Sequence, residues 1–280
     1  MEKGLAVLSI VFVVLVSGCI QHGAPETGPP GSASQPAGQA QFTPVDPSDP
    51  PRFVRHDFIE LDKIAMVSRF RSGVGHDFSR GEGETGSCRS MKHYFEPKGV
   101  DESLRQKEHE GLLTADDWPV VHYYAPVNGI IIDMRPAENE YGQTEKQFIL
   151  QSEEHPDIWF GFFHVITAPG LRKGSIVKAG DFLGTISPGN SGEIAVSVIH
   201  GQDEQLISFF DVLADDAFAE YQARGAGNRS DFIISKEERD SNPLVCDTEE
   251  PHRFTGSSRI SDKSAYDKWS MGTDNWVMLS

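Results

Sequence analysis

The chain has few basic residues. Its 280 residues include 25 Lys and Arg against 42 Asp and Glu, which gives a net charge of -17 and a pI near 4.9. No cluster of Lys and Arg stands out in the sequence, and such clusters are what nucleic-acid backbones and anionic lipid surfaces attract. The composition therefore argues against nucleic acid as a partner and against lipid binding by the folded part of the chain.

The apolar run at the N-terminus is short for a membrane span. Residues 5–16 match the core of a signal peptide, whereas a spanning helix needs about 20 apolar residues. The run ends in Leu-Val-Ser-Gly-Cys at residues 15–19, which resembles the lipobox of prokaryotic lipoproteins. That resemblance implies a signal peptide over residues 1–18, cleavage before Cys19 and lipidation of its thiol. An ordinary secretory signal and an uncleaved anchor are the alternatives, and all three place the domain outside the cytoplasm.

Residues 19–51 have almost no apolar side chains to bury. Pro, Gly and Ser dominate the segment, so it cannot offset the entropy lost on ordering. We predict a semi-extended tether that holds the domain away from the membrane.

Cysteine is scarce, with three in the whole chain. Cys88 and Cys246 remain in the exported domain, and an even pair there indicates a disulfide. Two zinc thiolates are the weaker alternative, because neither cysteine has a CxxC or CxxH companion.

The stretch from residue 118 to 199 lacks a long helical pattern. It consists of short β-branched and aromatic runs separated by Pro, Gly and Asn, at residues 120–124, 129–134, 148–151, 159–165, 182–186 and 194–199. Such runs are typical of short strands joined by tight turns. We predict a mainly β fold, a small antiparallel β-sandwich or barrel, over residues 52–200.

Residues 201–280 are predicted to form a helical extension and tail. Residues 215–224 begin with two acids and end with Arg before Gly225, which is the polarity expected of a helix. A second short helix is predicted at residues 235–239, where Ser235 and Glu238 have the spacing of a capping box. Trp269 and Trp276 are expected to dock the tail onto the domain.

Three segments in order resemble the lysostaphin-type (LytM-like) zinc endopeptidases. Tyr-Ala-Pro-Val-Asn-Gly-Ile-Ile at residues 124–131 is similar to the family's Ala-Pro-x-x-Gly-x-Val strand pair. Phe-Phe-His-Val at residues 162–165 is similar to its Tyr-Ala-His-Leu strand. Residues 174–186 are similar to its Gly-x-x-Val-x-x-Gly-x-x-Ile-Gly hairpin, whose glycines permit positive φ at turns. The resemblance implies a duplicated hybrid-motif β fold with a groove, and the peptide cross-link of bacterial cell wall as the typical substrate.

The metal site that the resemblance implies is degenerate. The family binds zinc through a His-x-x-x-Asp pair and the last His of a His-x-His. Asp77 matches the Asp, but Gly73 stands at the His position and the nearby His76 is out of register. The His-x-His strand aligns with Ile194-Ala195-Val196, which leaves no ligand there. Since a hydrolytic zinc needs about three protein ligands, His76 and Asp77 alone are an incomplete set, with no third ligand found.

His164 matches the family's catalytic His, which does not bind metal. A His that is merely structural in the groove is the alternative, and the same choice applies to the loop residues His76 and Asp77. His93, His122 and His200 are further histidines on the predicted strands, and nothing in their spacing selects them.

Two functional hypotheses remain open, with a biotinyl/lipoyl-type carrier disfavoured by the lack of an exposed Lys at a hairpin tip. The first is a catalytically inactive, lipid-anchored extracytoplasmic domain, without cofactor, that binds an envelope protein or cell-wall peptide. The second is a zinc metalloendopeptidase with a rearranged site. We favour the first, because the His-x-His is missing.

Overall fold

The computed structural model describes residues 43–138, 144–249, 252–254 and 275–280. Residues 43–280 form one compact unit, which is the unit discussed below. The predicted signal peptide, Cys19, most of the tether and Trp269 lie outside the described residues. No helix in the described part of the chain has the length and apolar character needed to cross a membrane.

Short strands make up most of the domain, as the alternating apolar runs predict. They are β1 (Ile64–Ser68), β2 (His93–Pro97), β3 (His122–Tyr124), β4 (Gly129–Glu138), β5 (Thr144–Ser152), β6 (Ile158–Thr167), β7 (Ile176–Val177), β8 (Phe182–Ile186), β9 (Gly192–His200), β10 (Asp203–Ile207) and β11 (Trp276–Met278). The helices are α1 (Glu102–His109), α2 (Phe209–Val212), α3 (Asp215–Ala223) and α4 (Lys236–Ser241).

The strands form one antiparallel sheet system. Its main path runs β11-β1-β2-β9-β6-β5-β4-β7, with β10 added beside β9 and with β8 joining β3 to β6. Each ladder between these strands is antiparallel. The predicted fold class, mainly β and antiparallel with helices after residue 200, is therefore confirmed.

Strand β9 separates two apolar clusters because its side chains alternate between faces. Ile194, Val196 and Val198 belong to the main core, whereas Ala195 packs in a smaller cluster that includes Phe70. Ile194-Ala195-Val196 is thus a core strand as predicted, and its two apolar faces fix its register.

Helices α2 and α3 share the main core with the sheet. Phe209 and Phe210 of α2 and Tyr221 of α3 are fully buried, and Phe210 stacks on Phe232 at 3.8 Å between ring centroids. The predicted helix at residues 215–224 is confirmed as α3. Ser235 caps α4 by accepting a hydrogen bond from Glu238 N, as its spacing predicts.

The disulfide between Cys88 and Cys246 is present, with the two Cα atoms 5.6 Å apart. It joins the loop that precedes β2 to the segment that follows α4. Trp276, on β11, is 6% exposed and pairs with Ser68 of β1, so it docks the C-terminal strand onto the sheet as predicted.

Candidate functional site

A lysine and a glutamate form an ion pair between β2 and β9. The ladder sets Tyr94 of β2 opposite Glu193 of β9, which brings Lys92, just before β2, to the same place. Lys92 Nζ donates a hydrogen bond to Glu193 Oε2. Both side chains are nearly removed from solvent, with 2% and 7% of their surface exposed. Such a pair is costly to desolvate, so it requires close mutual contact and further polar or aromatic partners.

Three aromatic rings surround the ammonium group of Lys92. Nζ lies 4.4 Å from the ring centroid of Phe163, 4.9 Å from that of Tyr94 and 5.1 Å from that of Phe78. Ring faces carry negative charge density and attract a cation at these distances. The rings and the carboxylate therefore hold a fixed positive charge at the centre of the site.

His76 completes the surroundings of the ammonium group. Its Nδ1 lies 2.9 Å from the backbone oxygen of Asp77, and its Nε2 lies 3.3 Å from Lys92 Nζ. A carbonyl oxygen only accepts and an ammonium only donates, so this geometry requires a neutral ring protonated at Nδ1. Burial and the nearby Lys92 charge lower the pKa of His76, which agrees with that tautomer.

His164 lies between two carboxylates. Its Nδ1 is 2.7 Å from Glu145 Oε1 and its Nε2 is 3.7 Å from Glu193 Oε1. Burial alone lowers the pKa of His164, but the Glu193 and Glu145 carboxylates outweigh it and the net shift is upward. Both ring nitrogens thus face acceptors, which suits an imidazolium.

The backbone of His164 is strained, and its side chain reaches the surface. Its φ is +53°, in a region that residues other than glycine rarely adopt. About a quarter of the side chain, 28%, is exposed. Strain of this kind is found disproportionately at functional sites, so His164 is the candidate contact with a ligand.

The charged state of the central pair is mutually maintained. Burial alone would lower the pKa of Lys92 and raise that of Glu193. Their mutual attraction, together with Tyr94 for Lys92 and His164 for Glu193, outweighs burial, so the net pKa of Lys92 is raised and that of Glu193 is lowered. Tyr123 fixes the backbone here, because its hydroxyl accepts from Glu193 N at 2.8 Å and donates to Phe163 O at 3.3 Å.

The other predicted site residues have structural partners. Asp77 Oδ1 accepts a hydrogen bond from Arg89 N at 3.0 Å, which fastens the loop before β2. His93 is buried, with Nδ1 2.7 Å from Ser68 O. His122 Nδ1 lies 3.3 Å from Glu60 Oε2, and His200 is exposed at the end of β9.

Lys92, Glu193 and Glu145 were not among the residues predicted from sequence. The signal for Glu193 is alternation: it directly precedes the apolar triplet 194–196 and therefore faces away from the main core. Lys92 lies within residues 91–95, where the other side chains are Met, His, Tyr and Phe. A charge that is buried in such a segment requires a partner. The partner of Lys92 lies 101 residues away in the chain, which only the ladder between β2 and β9 reveals.

Comparisons with known proteins concern the fold. No family model and no curated protein sequence matches the chain. A putative glycyl-glycine endopeptidase LytM from Ruminococcus gnavus is similar over 54% of this chain and 59% of its own, with 14% identity and a TM-score of 0.28. Lysostaphin is similar over 65% of both chains, with 11% identity and a TM-score of 0.27. The chain thus spans less than two thirds of either solved structure.

The side chains present do not fit a catalytic zinc ion. Within residues 43–138, 144–249, 252–254 and 275–280, no three His, Cys, Asp or Glu side chains are grouped closely enough to hold a metal ion. More directly, the available lone pair of His76 Nε2 is directed at Lys92 Nζ. A zinc ligand must offer its lone pair to the metal, so the Lys92 ammonium competes with zinc for the lone pair of His76 Nε2.

Proposed function

We propose that this chain is a lipid-anchored, extracytoplasmic domain of lysostaphin-type fold that binds an envelope protein or peptide and is catalytically inactive as a zinc peptidase. The anchor, through Cys19, is supported by the lipobox-like residues 15–19. The observation that carries the inactivity is the Lys92 ammonium, which engages His76 and Glu193 together.

The energetic reason is charge repulsion at short range. A divalent cation about 4 Å from an ammonium is opposed by roughly 8 kcal/mol at an effective dielectric constant of about 20. The Glu193 carboxylate that would attract such a cation is already neutralised by Lys92. Lys92 thus supplies the positive charge that a metal would otherwise bring.

Zinc content tests this part of the proposal. The full chain, purified without a His tag and dialysed against trace zinc, should contain far less than one zinc per molecule by elemental mass spectrometry. The Lys92→His variant replaces the cation with an imidazole nitrogen that can bind zinc together with His76 and Glu193. We expect this variant to gain zinc. Near-stoichiometric zinc in the unmodified protein, lost in His76→Ala, would contradict the proposal.

The contact with a ligand is assigned to His164. Its Nε2 is 3.7 Å from Glu193 Oε1, longer than an ordinary hydrogen bond, and the ring is partly exposed. A protonated Nε2–H in this position can donate to an anionic group, and the carboxylate of a peptide is the ligand chemistry that fits.

A pair of matched peptides tests the assignment. Triglycine has a free carboxylate, whereas triglycinamide has the same backbone without it. We expect triglycine, and not the amide, to shift the His164 ring signals in NMR spectra, and the His164→Gln variant to lose the binding response. A protein that responds to neither peptide, or equally to both, would count against carboxylate recognition at His164.

A further inference from the structure

The buried ion pair brings together two groups that can react with each other. Lys92 has a primary amine and Glu193 a carboxyl group, and the two are in direct contact between adjacent segments of one sheet. Their positions are fixed by the β2–β9 ladder and by the three rings around Nζ. Two groups held together in this way react as an intramolecular pair, and effective molarities of such pairs reach about 10⁵–10⁸ M when the reacting atoms are aligned.

We propose that Lys92 Nζ and Glu193 Cδ join in an intramolecular amide bond that covalently links the start of β2 to β9. The linkage would be a modification of the chain by itself, and it needs no oxidant, metal or second substrate. It removes two buried charges and replaces them with one neutral, hydrogen-bonding group, which a low-dielectric site favours.

Two histidines stand where the reaction needs a base and an acid. His76 Nε2 lies 3.3 Å from Lys92 Nζ and presents a lone pair, because Nδ1 donates to Asp77 O. His164 Nε2 lies 3.7 Å from Glu193 Oε1, and its Nδ1 is held by Glu145. The base thus faces the amine and the acid faces the carboxylate, as general acid–base catalysis requires.

The protons and atoms balance. His76 takes one proton from the ammonium, and the free amine attacks Glu193 Cδ while His164 gives a proton to Oε1. The tetrahedral centre then collapses, the C–Oε1 bond breaks, and that oxygen leaves as water with a second proton from nitrogen. The amide keeps the third proton of the ammonium. The sum is ammonium plus carboxylate giving amide plus one water.

The ammonium is the state before the bond forms, and the amide does not depend on the proposed function. In the linked protein, zinc is opposed by the engaged lone pair of His76 and by the loss of the Glu193 carboxylate, and no longer by a positive charge on Lys92. The amide N–H would still donate to His76 Nε2, so the lone pair of that ring would remain engaged. The zinc content of the protein does not report whether the amide has formed. Conversely, absence of the amide does not imply that zinc is bound. The two proposals therefore fail separately.

Peptide mapping by mass spectrometry tests the bond. The full-length folded protein is reduced, alkylated and digested with trypsin, which cannot cleave after an acylated lysine. We expect a branched species that joins residues 90–98 to residues 179–224, lighter by one water than the two peptides together. The intact chain should be lighter by the same water.

The matched control is Lys92→Arg, which keeps a cation and lacks the primary amine. It should show no branched species and the full mass. The His164→Gln variant should show a smaller cross-linked fraction after equal incubation. Efficient cleavage after Lys92 in the folded wild-type protein, with the full intact mass, would overturn the proposal, as would a branched species that persists in Lys92→Arg. Unchanged cross-linking in His164→Gln would overturn the role given to that residue.

Discussion

At the scale of single residues, burial and neighbouring carboxylates together decide which histidines carry charge. His93 is 1% exposed and is held between Ser68 O and the Ser208 hydroxyl, 2.7 Å and 2.8 Å from its two ring nitrogens. Burial, opposed by the hydrogen bond to Ser68, lowers its pKa to about 4. His164 shifts the other way, because carboxylates flank it. His93 is therefore a neutral structural residue, and His164 is the one suited to contact an anion.

The low pKa of His93 predicts a pH-dependent contribution to stability. The unfolded state takes up a proton at this side chain below pH 6.5, whereas the folded state does so only near pH 4. Lowering the pH through that window therefore disfavours the folded state, by up to about 3 kcal/mol in free energy of unfolding. Urea titrations of the wild type and His93→Gln should show their stability difference changing in this direction between pH 6.5 and 4. A pH-independent difference would contradict the assignment of a neutral His93.

At the scale of elements, the apolar runs were sufficient to predict most strands. Segments 129–134, 159–165 and 194–199 became parts of β4, β6 and β9, because strands buried on one or both faces need such runs. The face on which each side chain lies was harder to predict. The His-x-His motif aligns with residues 194–196, of which Ile194 and Val196 face the main core, whereas Glu193, one residue earlier, lies in the site.

Gly184 is the position in the hairpin where a side chain is least tolerated. Its φ is +149°, and a Cβ atom would lie 2.3 Å from Ile166 O in the neighbouring strand. We expect Gly184→Ala to lower the free energy of unfolding by roughly 3 kcal/mol or more, since backbone would have to move.

Gly180→Ala is the matched control for that substitution. Gly180 also has positive φ, +85°, but its Cβ would meet only His56, at 3.8 Å. The cost there should be about 1 kcal/mol, from conformation alone. Equal losses in the two variants, measured by chemical denaturation, would show that the close approach of β6 and β8 is not what constrains Gly184.

The disulfide constrains the loop that carries His76. Cys88 and Cys246 are 158 residues apart in sequence, so their bond removes much freedom from the unfolded chain. The Cys88→Ser, Cys246→Ser double variant should lose about 2–5 kcal/mol in free energy of unfolding. Denaturant titrations without reductant measure this loss, and unchanged stability would show that the loop is held by its other contacts.

At the scale of the whole molecule, the candidate site is non-local and for that reason was only partly predicted. His164 was identified from a resemblance and lies in the site, but its neighbours come from the loop at residue 76, the start of β2, β5 and β9. No pattern within a single segment of the sequence indicates that these residues are in contact. The disulfide, by contrast, was predictable, since two cysteines remain once Cys19 is assigned to lipid.

The lipobox-like sequence predicts where the full chain resides. The unmodified protein, produced in a host that processes lipoproteins, should enter the detergent phase in Triton X-114 partitioning. Cys19→Ser should move it to the aqueous phase, whereas Cys246→Ser, which removes a different cysteine, should not. Detergent-phase partitioning that is unaffected by Cys19→Ser would argue for an uncleaved anchor instead.

The side-chain nitrogen of Lys92, as the ammonium or as the proposed amide, takes the place of a metal between His76 and Glu193. The most direct measurement is a crystal structure of the protein soaked in zinc, with diffraction data collected on both sides of the zinc absorption edge. We expect continuous density from Lys92 to a position beside His76 Nε2 and Glu193, with no anomalous peak there. An anomalous peak bonded to His76 Nε2, with Lys92 displaced, would contradict it.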